Sequence, residues 1–581
     1  MGAVVLIKSE KSRWLMSLLR KDVKLLVITF FLGGVISVLG LSSAIFSQKI
    51  IDVIIPSNDI AYLVRGIVIV GFLLLLKAVI IHIHSIIGAL HGKRFNMRLI
   101  DTFFKKLLYL PKSFYDTNQT GSLIARMHDS RQIHGAISHF FNILVLNVVT
   151  VIISTSFLFY YSVPVGVVVL LAFPVFFISA YMFKGRMRER FHEEYLANGE
   201  NESNYIATIQ NSDLIKAHNK QDHFSKKSYQ AYGNYQEKSF LATLVALRFG
   251  VTSESIGTIF YIFILAILAF QAVAGQITIG EYAATMAVAI GLLGPIGVLG
   301  NAIMHIQGGK VALDRMYEVV QAENEFHEGD EAKKVQLPEI SSVEMRRVSF
   351  SYEKGLPQLI DISFSATRGE LVCVYGKNGA GKSTVLNLLM GLYRAESGEI
   401  FFNGEASSEL SLVALRERIA IISQQAKLFD GSLVENISLS HDEACAEETK
   451  KYLDEYGFSD FISRIKDGYE AKVFEGGGNL SGGQKQIVSL ARALVKRPDM
   501  LLVDEATASL DSESENFVVD MLQQFTASGG IVIMVSHRLK PARAATKIVL
   551  LEDHRITQVG THEELVTGDN FYASRFKDLV L

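Results

Sequence analysis

The sequence predicts an α-helical transmembrane domain of six spans with long cytosolic helix extensions, followed by an α/β domain built around a phosphate-binding loop. Three observations support this prediction. Apolar residues make up 49% of the chain, and the excess lies before about residue 305. Strand and helix patterns alternate from about residue 342. In that second part, a glycine-rich loop with a lysine and a serine follows an apolar run.

Length and composition bound the remaining possibilities. At 581 residues the chain is too long for one hydrophobic core, so we expect several domains. Its 57 Lys and Arg nearly balance 59 Asp and Glu, which gives no reason to expect a nucleic-acid partner. The only cysteines, Cys373 and Cys445, lie in the second part and favour a reducing compartment over a disulfide framework. The N-terminus shows no pattern of a cleaved signal peptide.

The membrane part begins with residues 8–20, where basic and apolar residues surround Trp14. This composition is typical of a helix lying at the membrane surface, although a frayed polar terminus would look similar. Six later segments approach or exceed the roughly 20 apolar residues that cross a bilayer. They are 25–47, 61–83, 140–161, 163–183, 255–273 and 282–303.

Basic residues beside the spans predict their orientation. Lys and Arg concentrate between spans two and three and between spans four and five, whereas the short loops 48–60, 162 and 274–281 contain only Lys49. Both long segments, the N-terminus and the second domain are therefore expected on the cytosolic side. The long segments read as helices that leave the membrane and end at polar turns near 113–122 and 210–214. We interpret them as levers; a passive stalk would give the same pattern.

Lys77, within the second span, is a candidate for a substrate cavity. A charge at the bilayer centre costs about 2.5–3.5 kcal/mol on insertion scales, so it usually faces protein or water. Lys77 could attract an anionic substrate group, or the helix could extend beyond the lipid and place it at cytosolic depth. The second interpretation is favoured for the neighbouring ionisable groups His82, His84, Arg248, Glu254 and His305.

After the last span, residues 308–321 form an amphipathic helical pattern, and a charged stretch follows that reads as a solvated linker. We therefore expect a transmembrane domain over 1–321, a linker over 322–341 and a second domain over 342–581.

Residues 376–383 read Gly-Lys-Asn-Gly-Ala-Gly-Lys-Ser and fit the phosphate-binding P-loop, between an apolar strand and a helix. The glycines let backbone N–H groups face phosphate oxygens at the positive end of the helix. Lys382 would reach the β- and γ-phosphates, and the Ser383 hydroxyl would take a Mg²⁺ position. This setting predicts binding of a nucleoside triphosphate.

Two further motifs extend the site. An apolar strand ends in Asp504, placed to help hold Mg²⁺, and Glu505, placed to polarise an attacking water. Residues 480–484 read Leu-Ser-Gly-Gly-Gln before a helix, so Ser481 and the glycine amides form a second anion site. One triphosphate cannot easily use both helix N-termini of a single small domain. Two chains facing head to tail could supply one each, an arrangement that the sequence permits.

These motifs, together with Ser509-Leu510-Asp511 and His537 and six spans with long cytosolic loops, resemble an ATP-binding cassette (ABC) exporter half-transporter of the type IV fold. The resemblance covers nearly the whole chain. It implies that two nucleotide domains enclose two ATP molecules, each between one P-loop and the opposite Leu-Ser-Gly-Gly-Gln signature. It also implies that the turns near 113–122 and 210–214 are coupling helices.

The resemblance implies individual roles. Tyr352 would stack on adenine, Gln424 would reach Mg²⁺ or water, His537 would contact the γ-phosphate, and Asp511 would lie at the dimer seam. Catalysis is assigned to Glu505, His537, Gln424 and Lys382, and Mg²⁺ ligation to Ser383, Gln424 and Asp504. ATP binding is assigned to Tyr352, Gly376, Lys377, Asn378, Gly379, Ala380, Gly381, Lys382, Ser383, Thr384, Ser481, Gly482, Gly483, Gln484 and Asp511.

Two positions depart from the family pattern. Ile487 stands where arginine is usual, and Ala508-Ser509-Leu510-Asp511 stands where Ser-Ala-Leu-Asp is usual. Neither change removes a group in direct contact with phosphate, so we expect full ATPase activity. Because Glu505 and the signature are both intact, a homodimer with two active sites is the simplest assembly. Residues 110–126 are similar to the first coupling region of bacterial bacteriocin and peptide exporters, although much of that string recurs in multidrug and lipid exporters.

We therefore expect an ATP-driven exporter in a bacterial cytoplasmic (inner) membrane that moves a peptide or amphiphilic small molecule by alternating access. ATP and Mg²⁺ are the expected cofactors. The expected partners are a second half-transporter, membrane lipids and the substrate, without nucleic acid. A lipid or lipid-linked-sugar flippase and an ATP-gated channel or regulatory ATPase stay open as alternatives.

Overall fold

A computed structural model describes residues 10–138, 145–326, 337–353, 355–507 and 510–580. The chain forms two compact units. One comprises Met1–Leu110 with Phe114–Asn324, and the other comprises Glu325–Leu581 with Pro111–Ser113.

Every regular element described before residue 325 is a helix. A π-helical turn and one more helical turn extend α2 as far as Ser57. The helices are α1 (Glu10–Leu19), α2 (Val23–Lys49), α3 (Ile60–Leu108), α4 (Lys112–Thr117), α5 (Thr120–His128), α6 (Ser130–Ser138), α7 (Val145–Tyr161), α8 (Val163–Gln210), α9 (Ser212–Ala217), α10 (Gln221–Val273) and α11 (Ile279–Gln321).

Four of these helices are far longer than a bilayer crossing requires. They contain 43 to 53 residues, which is about 65–80 Å at a rise of about 1.5 Å per residue. The hydrocarbon core of a bilayer is only about 30 Å thick. Helices of this length therefore extend well beyond the lipid, which agrees with the predicted continuation of the spans. The turns predicted near 113–122 and 210–214 contain the short helices α4 and α9.

In the described part of the chain, four helical segments are long and apolar enough to cross a membrane: Glu10–Ser57, Ile60–Leu108, Val163–Gln210 and Gln221–Val273. Two shorter apolar helices are Leu146–Tyr161 and Ile279–Leu292. Each of the six contains or overlaps one predicted span, and residues 140–144 of the third span lie outside the described residues. Large apolar side chains such as Phe72 and Leu171 are exposed, as suits a surface that contacts lipid. Six crossings stay a prediction.

Helix α1 differs from the expectation of a helix resting on the membrane surface. Its Trp14 ring packs against Tyr317 of α11, with 5.8 Å between the ring centroids. Lys11 forms an ion pair with Asp314, and Leu18 and Leu19 are buried in the same apolar cluster. Trp14, Leu15, Leu18 and Leu19 therefore pack on protein, whereas Met16 is exposed. The sequence pattern does not show which helix covers them.

Lys77 lies against the backbone of α2. A Cβ atom added to Gly40 would stand 3.2 Å from the Lys77 Nζ atom, and the lysine is half-buried. The charge thus faces protein, as expected for an ionisable group in a span. A role in substrate binding stays a prediction.

A buried ion pair between Asp129 and Arg315, together with the Tyr195 ring, connects three parts of the first unit. Asp129, between α5 and α6, lies 3.3 Å from Arg315 of α11, and the two side chains are only 5% and 7% exposed. The Arg315 guanidinium lies 5.8 Å from the centroid of the Tyr195 ring on α8. Burial raises the pKa of Asp129 to about 6, although the charge of Arg315 acts in the opposite direction. The charged form of the Asp129 carboxylate is therefore costly in this buried site, and Arg315 stabilises it.

We expect Arg315→Met to destabilise the protein more at pH 8 than at pH 5. Removing one partner of a buried ion pair typically costs about 3–5 kcal/mol because the other charge is left unpaired. A raised pKa in the folded state means that folding favours the protonated carboxyl, so stability falls as pH rises through this range. At pH 5 Asp129 can take a proton and relieve the cost. Thermal unfolding in detergent at the two pH values measures the difference.

The double variant Asp129→Asn/Arg315→Met should be more stable at pH 8 than Arg315→Met alone. Asp101→Asn serves as the control, because Asp101 pairs with Lys105 on an exposed surface and such pairs contribute about 0–1 kcal/mol. Equal losses at both pH values, together with no rescue by Asp129→Asn, would contradict this account of the pair.

The described part of the second unit holds three sheets. The main sheet has the order β12-β11-β3-β10-β9-β6, with β12 antiparallel at the edge and the other strands parallel. An antiparallel sheet has the order β2-β1-β4-β5, and β7 pairs with β8. The strands are β1 (Ser342–Glu353), β2 (Leu356–Thr367), β3 (Leu371–Gly376), β4 (Ser397–Phe402), β5 (Glu405–Ala406), β6 (Ile419–Ile422), β7 (Gly431–Ser432), β8 (Lys472–Val473), β9 (Met500–Asp504), β10 (Ile531–Ser536), β11 (Lys547–Glu552) and β12 (Arg555–Gly560).

Both faces of the main sheet are covered. Along β3, Cys373 and Tyr375 belong to one apolar cluster, while Val372 and Val374 belong to the cluster on the other face. This burial on two faces explains the uninterrupted apolar run before the P-loop. The described helices of this unit include α12 (Lys382–Leu389), α13 (Leu412–Arg418), α14 (Leu433–Ser438), α15 (Glu443–Glu455), α16 (Ser459–Ser463), α17 (Gly482–Val495), α18 (Ser512–Ala527), α19 (Leu539–Arg543), α20 (His562–Val566) and α21 (Phe571–Val580).

The charged stretch predicted as a linker is only partly described, because residues 327–336 lie outside the described ranges. On its N-terminal side, Glu325 accepts hydrogen bonds of 2.6 and 2.7 Å from Arg416. On its C-terminal side, the Ile340 N–H donates to Asp499 at 2.9 Å. The described ends of this stretch are therefore held by hydrogen bonds and are not freely solvated.

Candidate active site

The topology of the main sheet brings the predicted site residues to one edge. The P-loop follows β3, Glu505 follows β9, His537 follows β10, and Gln424 stands two residues after β6. These four strands are parallel neighbours in the sheet. Ligands of open parallel sheets bind at the carboxyl ends of the strands, so residues far apart in sequence meet there.

The P-loop needs glycine at three positions. A Cβ atom at Gly376 would stand 2.1 Å from the Leu551 carbonyl oxygen, so no larger residue fits there. Gly379 and Gly381 have φ angles of 84° and 101°, in the region that glycine adopts without steric cost. Gly381 is the N-cap of α12 and provides no side-chain cap. The first N–H groups of α12 are therefore available to an anion.

Lys382 is buried at the start of α12, with 6% of its side chain exposed. Its Nζ atom donates a hydrogen bond of 3.0 Å to the Lys377 carbonyl oxygen and lies 3.8 Å from Glu505. Burial lowers the pKa of Lys382, and the nearby carboxylates of Glu505 and Asp504 act in the opposite direction. An ammonium group removed from water beside anion-binding backbone amides is suited to phosphate oxygens.

Ser383 and Asp504 present two oxygen atoms side by side. The Ser383 hydroxyl donates to the Asp504 carboxylate at 3.0 Å. Burial raises the pKa of Asp504; the hydrogen bond from Ser383 lowers it, and the nearby Glu505 raises it further. Mg²⁺ usually binds one or two carboxylates together with substrate phosphates. The donor set of Ser383 and Asp504 therefore fits this ion.

The Glu505 carboxylate connects two other predicted residues, Gln424 and His537. It accepts a hydrogen bond of 2.9 Å from the Gln424 side-chain amide and shares one of 2.9 Å with the His537 Nδ1 atom. Its φ angle of 46° lies in the left-handed region, which costs roughly 1–2 kcal/mol per residue outside glycine. Its N–H donates to the Val535 carbonyl oxygen at 3.1 Å. Such backbone strain is concentrated at functional sites.

Tyr352 lies beside the helix that follows the P-loop. Its hydroxyl is 3.2 Å from the Thr384 hydroxyl, and the residue as a whole is 49% exposed. Phe350 and Tyr393 contact the ring edge to face, with centroid distances of 4.9 and 5.2 Å. The ring is thus held in position while part of its surface stays open, as stacking on a nucleotide base would require.

The signature residues do not join this cluster within one chain. The Ser481 hydroxyl accepts from the Gln484 N–H at 3.2 Å, and the Gln484 side chain accepts from the Ser481 N–H at 2.9 Å, so together they cap α17. Asp511 caps α18 through the Ser514 N–H at 2.7 Å. Within the described ranges, the hydrogen bonds of these caps stay in their own helices. Ala508 and Ser509 lie outside the described residues.

Gln486 is a positioning residue that the sequence analysis missed. It is 4% exposed, and its side-chain amide donates to the carbonyl oxygens of Gln424 and Ser423 at 2.6 and 3.2 Å. It thereby fixes the segment that carries Gln424 to α17. Its position on the buried face of an amphipathic helix was the available signal. Ile487, which replaces the usual arginine, is 3% exposed and packs in the apolar core.

Family profiles match both halves of the chain. The profile described as "ABC transporter transmembrane region" matches residues 25–296, and the profile described as "ABC transporter" matches residues 359–508.

Similar proteins are matched over almost the whole chain. The cyclolysin secretion/processing ATP-binding protein CyaB of Bordetella pertussis is 27% identical over 564 residues, covering 96% of this chain and 78% of that protein. The alpha-hemolysin translocation ATP-binding protein HlyB of Escherichia coli O157:H7 is 27% identical, covering 96% and 79%. The toxin RTX-III translocation ATP-binding protein of Actinobacillus pleuropneumoniae is 26% identical, covering 98% and 81%.

A solved structure shows the same fold. The ATP-bound structure of a bacterial Atm1-family ABC exporter superposes with a TM-score of 0.87 at 22% identity, covering 97% of this chain and 99% of that one. One transmembrane region and one nucleotide domain stand in a single chain, and the P-loop, the signature and the Asp504-Glu505 motif all lie within residues 359–508. The chain therefore belongs to the ABC transporter family, as a membrane-embedded, ATP-hydrolysing exporter of the half-transporter type.

Proposed function

We propose that this protein exports a peptide or another amphiphilic molecule across a bacterial cytoplasmic membrane. The observation that supports this substrate class is the match to three relatives over at least 96% of this chain. Their names refer to secretion or translocation of cyclolysin, alpha-hemolysin and an RTX toxin.

The site residues support the following division of labour. Lys382 and the N–H groups at the start of α12 hold the phosphates of ATP, and Tyr352 stacks on the base. Ser383, Asp504 and Gln424 would hold Mg²⁺, which would neutralise charge on the phosphates. Glu505 orients and polarises the attacking water, and His537 contacts the γ-phosphate. The hydrogen bonds from Gln424 and His537 fix the Glu505 carboxylate for this task.

Two identical chains complete the sites in our proposal. Ser481, Gly482, Gly483 and Gln484 of one chain face the P-loop of its partner, with Asp511 at the seam. Ser481 caps its own helix α17 and is exposed at the N-terminus of that helix. The helix dipole favours an anion at this end. Within each chain we assign 1–321 to the transmembrane domain, 322–341 to the linker and 342–581 to the ATP-binding domain. The N-terminus and ATP-binding domain are cytosolic.

The closing of two such domains on ATP would drive alternating access through the long helices. The short helices α4 and α9, at the far ends of α3 and α8, are the coupling helices in this proposal. Lys77 is assigned to the substrate cavity, where it would attract an anionic group.

Reconstitution into liposomes tests the proposed substrate class. We expect amphipathic peptides to accelerate ATP hydrolysis more than lipids or lipophilic drugs, and to accumulate in inside-out vesicles only with ATP. Glu505→Gln protein provides the matched control for ATP-dependent accumulation. Stimulation by lipids alone, with lipid scrambling between leaflets, would favour the flippase. Ion flux without stoichiometric hydrolysis would favour the channel.

A further inference from the structure

A cavity of about 840 Å³ lies next to the P-loop in the second unit. Of the loop, only Gly376, Lys377 and Asn378 line it; the phosphate cradle over 379–384 does not. The other walls come from the segment after β10, from α19 and from the C-terminal helix α21. The cavity therefore adjoins the proposed ATP site and shares Gly376, Lys377 and Asn378 with it, while residues 379–384 do not line it.

The lining of this cavity is strongly cationic. It holds one carboxylate, Glu515, which pairs with Arg538 at 3.0 Å and with Lys540 at 3.3 Å. Three more cations line the cavity: Lys377, Arg543 and Arg575. In the part of the chain that the structure describes, no carboxylate forms an ion pair with any of these three. The cavity thus carries an excess of positive charge.

The Phe571 ring contacts two of these cations. The Lys377 Nζ atom lies 5.0 Å from the centroid of the Phe571 ring, and the Arg575 guanidinium lies 5.6 Å from it. Each contact is favourable alone, but like charges in a partly enclosed site repel each other. A bound anion would offset this repulsion, and a concave site lined by one sign of charge attracts such ligands.

We propose that this cavity binds a small phosphate-bearing anion at a site distinct from the ATP cradle. Lys377, Arg543 and Arg575 provide the charge, and Arg is well suited to bidentate contacts with phosphate. His537 also lines the cavity and shares a hydrogen bond with Glu505. Occupancy therefore changes the rate of ATP hydrolysis; this consequence rests on the proposed role of Glu505, whereas binding does not.

Isothermal titration calorimetry on the full chain in nanodiscs tests binding. The P-loop is first filled with a non-hydrolysable ATP analogue and Mg²⁺, and pyrophosphate or AMP is then titrated in separate arms. We expect one saturable site per chain for at least one probe. Arg543→Glu and Arg575→Glu should each weaken binding at least about tenfold, since each reverses a charge that faces the ligand. Lys577→Glu, on the exposed part of the same helix, should not change it.

The two arms distinguish the source of the phosphate. Binding of pyrophosphate alone identifies an inorganic ligand, and tighter binding of AMP identifies a nucleotide; either result supports the site. Arg543→Lys and Arg575→Lys keep the charge and lose the bidentate contact, so each should weaken binding less than the corresponding Glu variant, which separates charge from misfolding. The proposal is overturned if neither probe binds while the ATP analogue is bound, or if Arg543→Glu and Arg575→Glu bind as well as the unmodified protein.

A second measurement separates binding from regulation. The ATPase rate of the unmodified protein should change when the bound probe is added, and the rate of Arg543→Glu should not. Probe binding without any change of rate would overturn the regulatory consequence and leave the binding site intact. Glu505→Gln protein should bind the probe as tightly as the unmodified protein, because Glu505 does not line the cavity.

Discussion

Glu505→Gln should bind ATP normally and hydrolyse it at least about 100-fold more slowly, the range expected when a general base is removed. Glutamine keeps the shape of the side chain and can still accept the hydrogen bond from Gln424, which is 2.9 Å long in this structure. It removes the negative charge that polarises the attacking water. The backbone should tolerate the exchange, because the positive φ of 46° is already present at this position.

Single-turnover hydrolysis and equilibrium binding of radiolabelled ATP separate the two effects. The matched control is Glu513→Gln, because Glu513 is an exposed acid of the same unit that pairs with Arg464; its turnover should be unchanged. Near-normal ATPase activity of purified Glu505→Gln protein would refute the role given to Glu505.

Ser481→Arg should abolish ATP hydrolysis in a preparation of identical chains and leave nucleotide binding to the P-loop measurable. The substitution places a cation at the N-terminus of α17, where the helix dipole favours negative charge, and its bulk blocks the approach of the partner's phosphates. Loss of the cap itself costs only about 1 kcal/mol.

Ser432→Arg provides the control for a lost cap. Ser432 forms the same type of capping box on α14 and has no assigned part in the site. This variant should lose a similar amount of stability and keep its ATPase activity. If both variants lost activity equally, the defect of Ser481→Arg would be structural.

Much of the second unit could be predicted from the sequence, because its motifs combine local pattern with chemistry. The apolar run of β3 and the glycines after it indicate a strand, a loop and a helix at once, and the structure places them so. The same holds for the strand that ends at Asp504. Parallel order then brings Gln424, Glu505 and His537 together, although no local pattern states which strands are neighbours.

The remaining features depend on packing between distant segments. Trp14 contacts Tyr317, which lies roughly three hundred residues later in the sequence. The composition of residues 8–20 alone could not show this contact and suggested a helix at the membrane surface. Asp129 and Arg315 lie far apart in the sequence, and no local pattern links them. The structure identifies them as a pair because both side chains are buried and in contact. The left-handed backbone of Glu505 has no sequence signal at all, since glutamate rarely adopts it.

The hydropathy pattern also did not predict where the membrane helices end. The sixth predicted span and the amphipathic stretch 308–321 form one continuous helix, Ile279–Gln321. Apolar content marks where a helix meets lipid, but the helix itself ends where its backbone hydrogen bonds end. Length in lipid and length of helix are therefore separate quantities, and only the first can be read from hydropathy.

Trapping of ATP in mixed dimers tests most directly whether one chain completes the site of another. In a Glu505→Gln background, Lys382→Ala breaks the P-loop side of a site, and Ser481→Arg breaks the signature side. Dimers with either change alone in both chains should trap no ATP. A mixed dimer should trap one ATP per two chains, because it retains one unmodified P-loop opposite one unmodified signature. No trapped ATP in the mixed dimer, or full-rate hydrolysis by a stable monomer of the unmodified protein, would contradict the account.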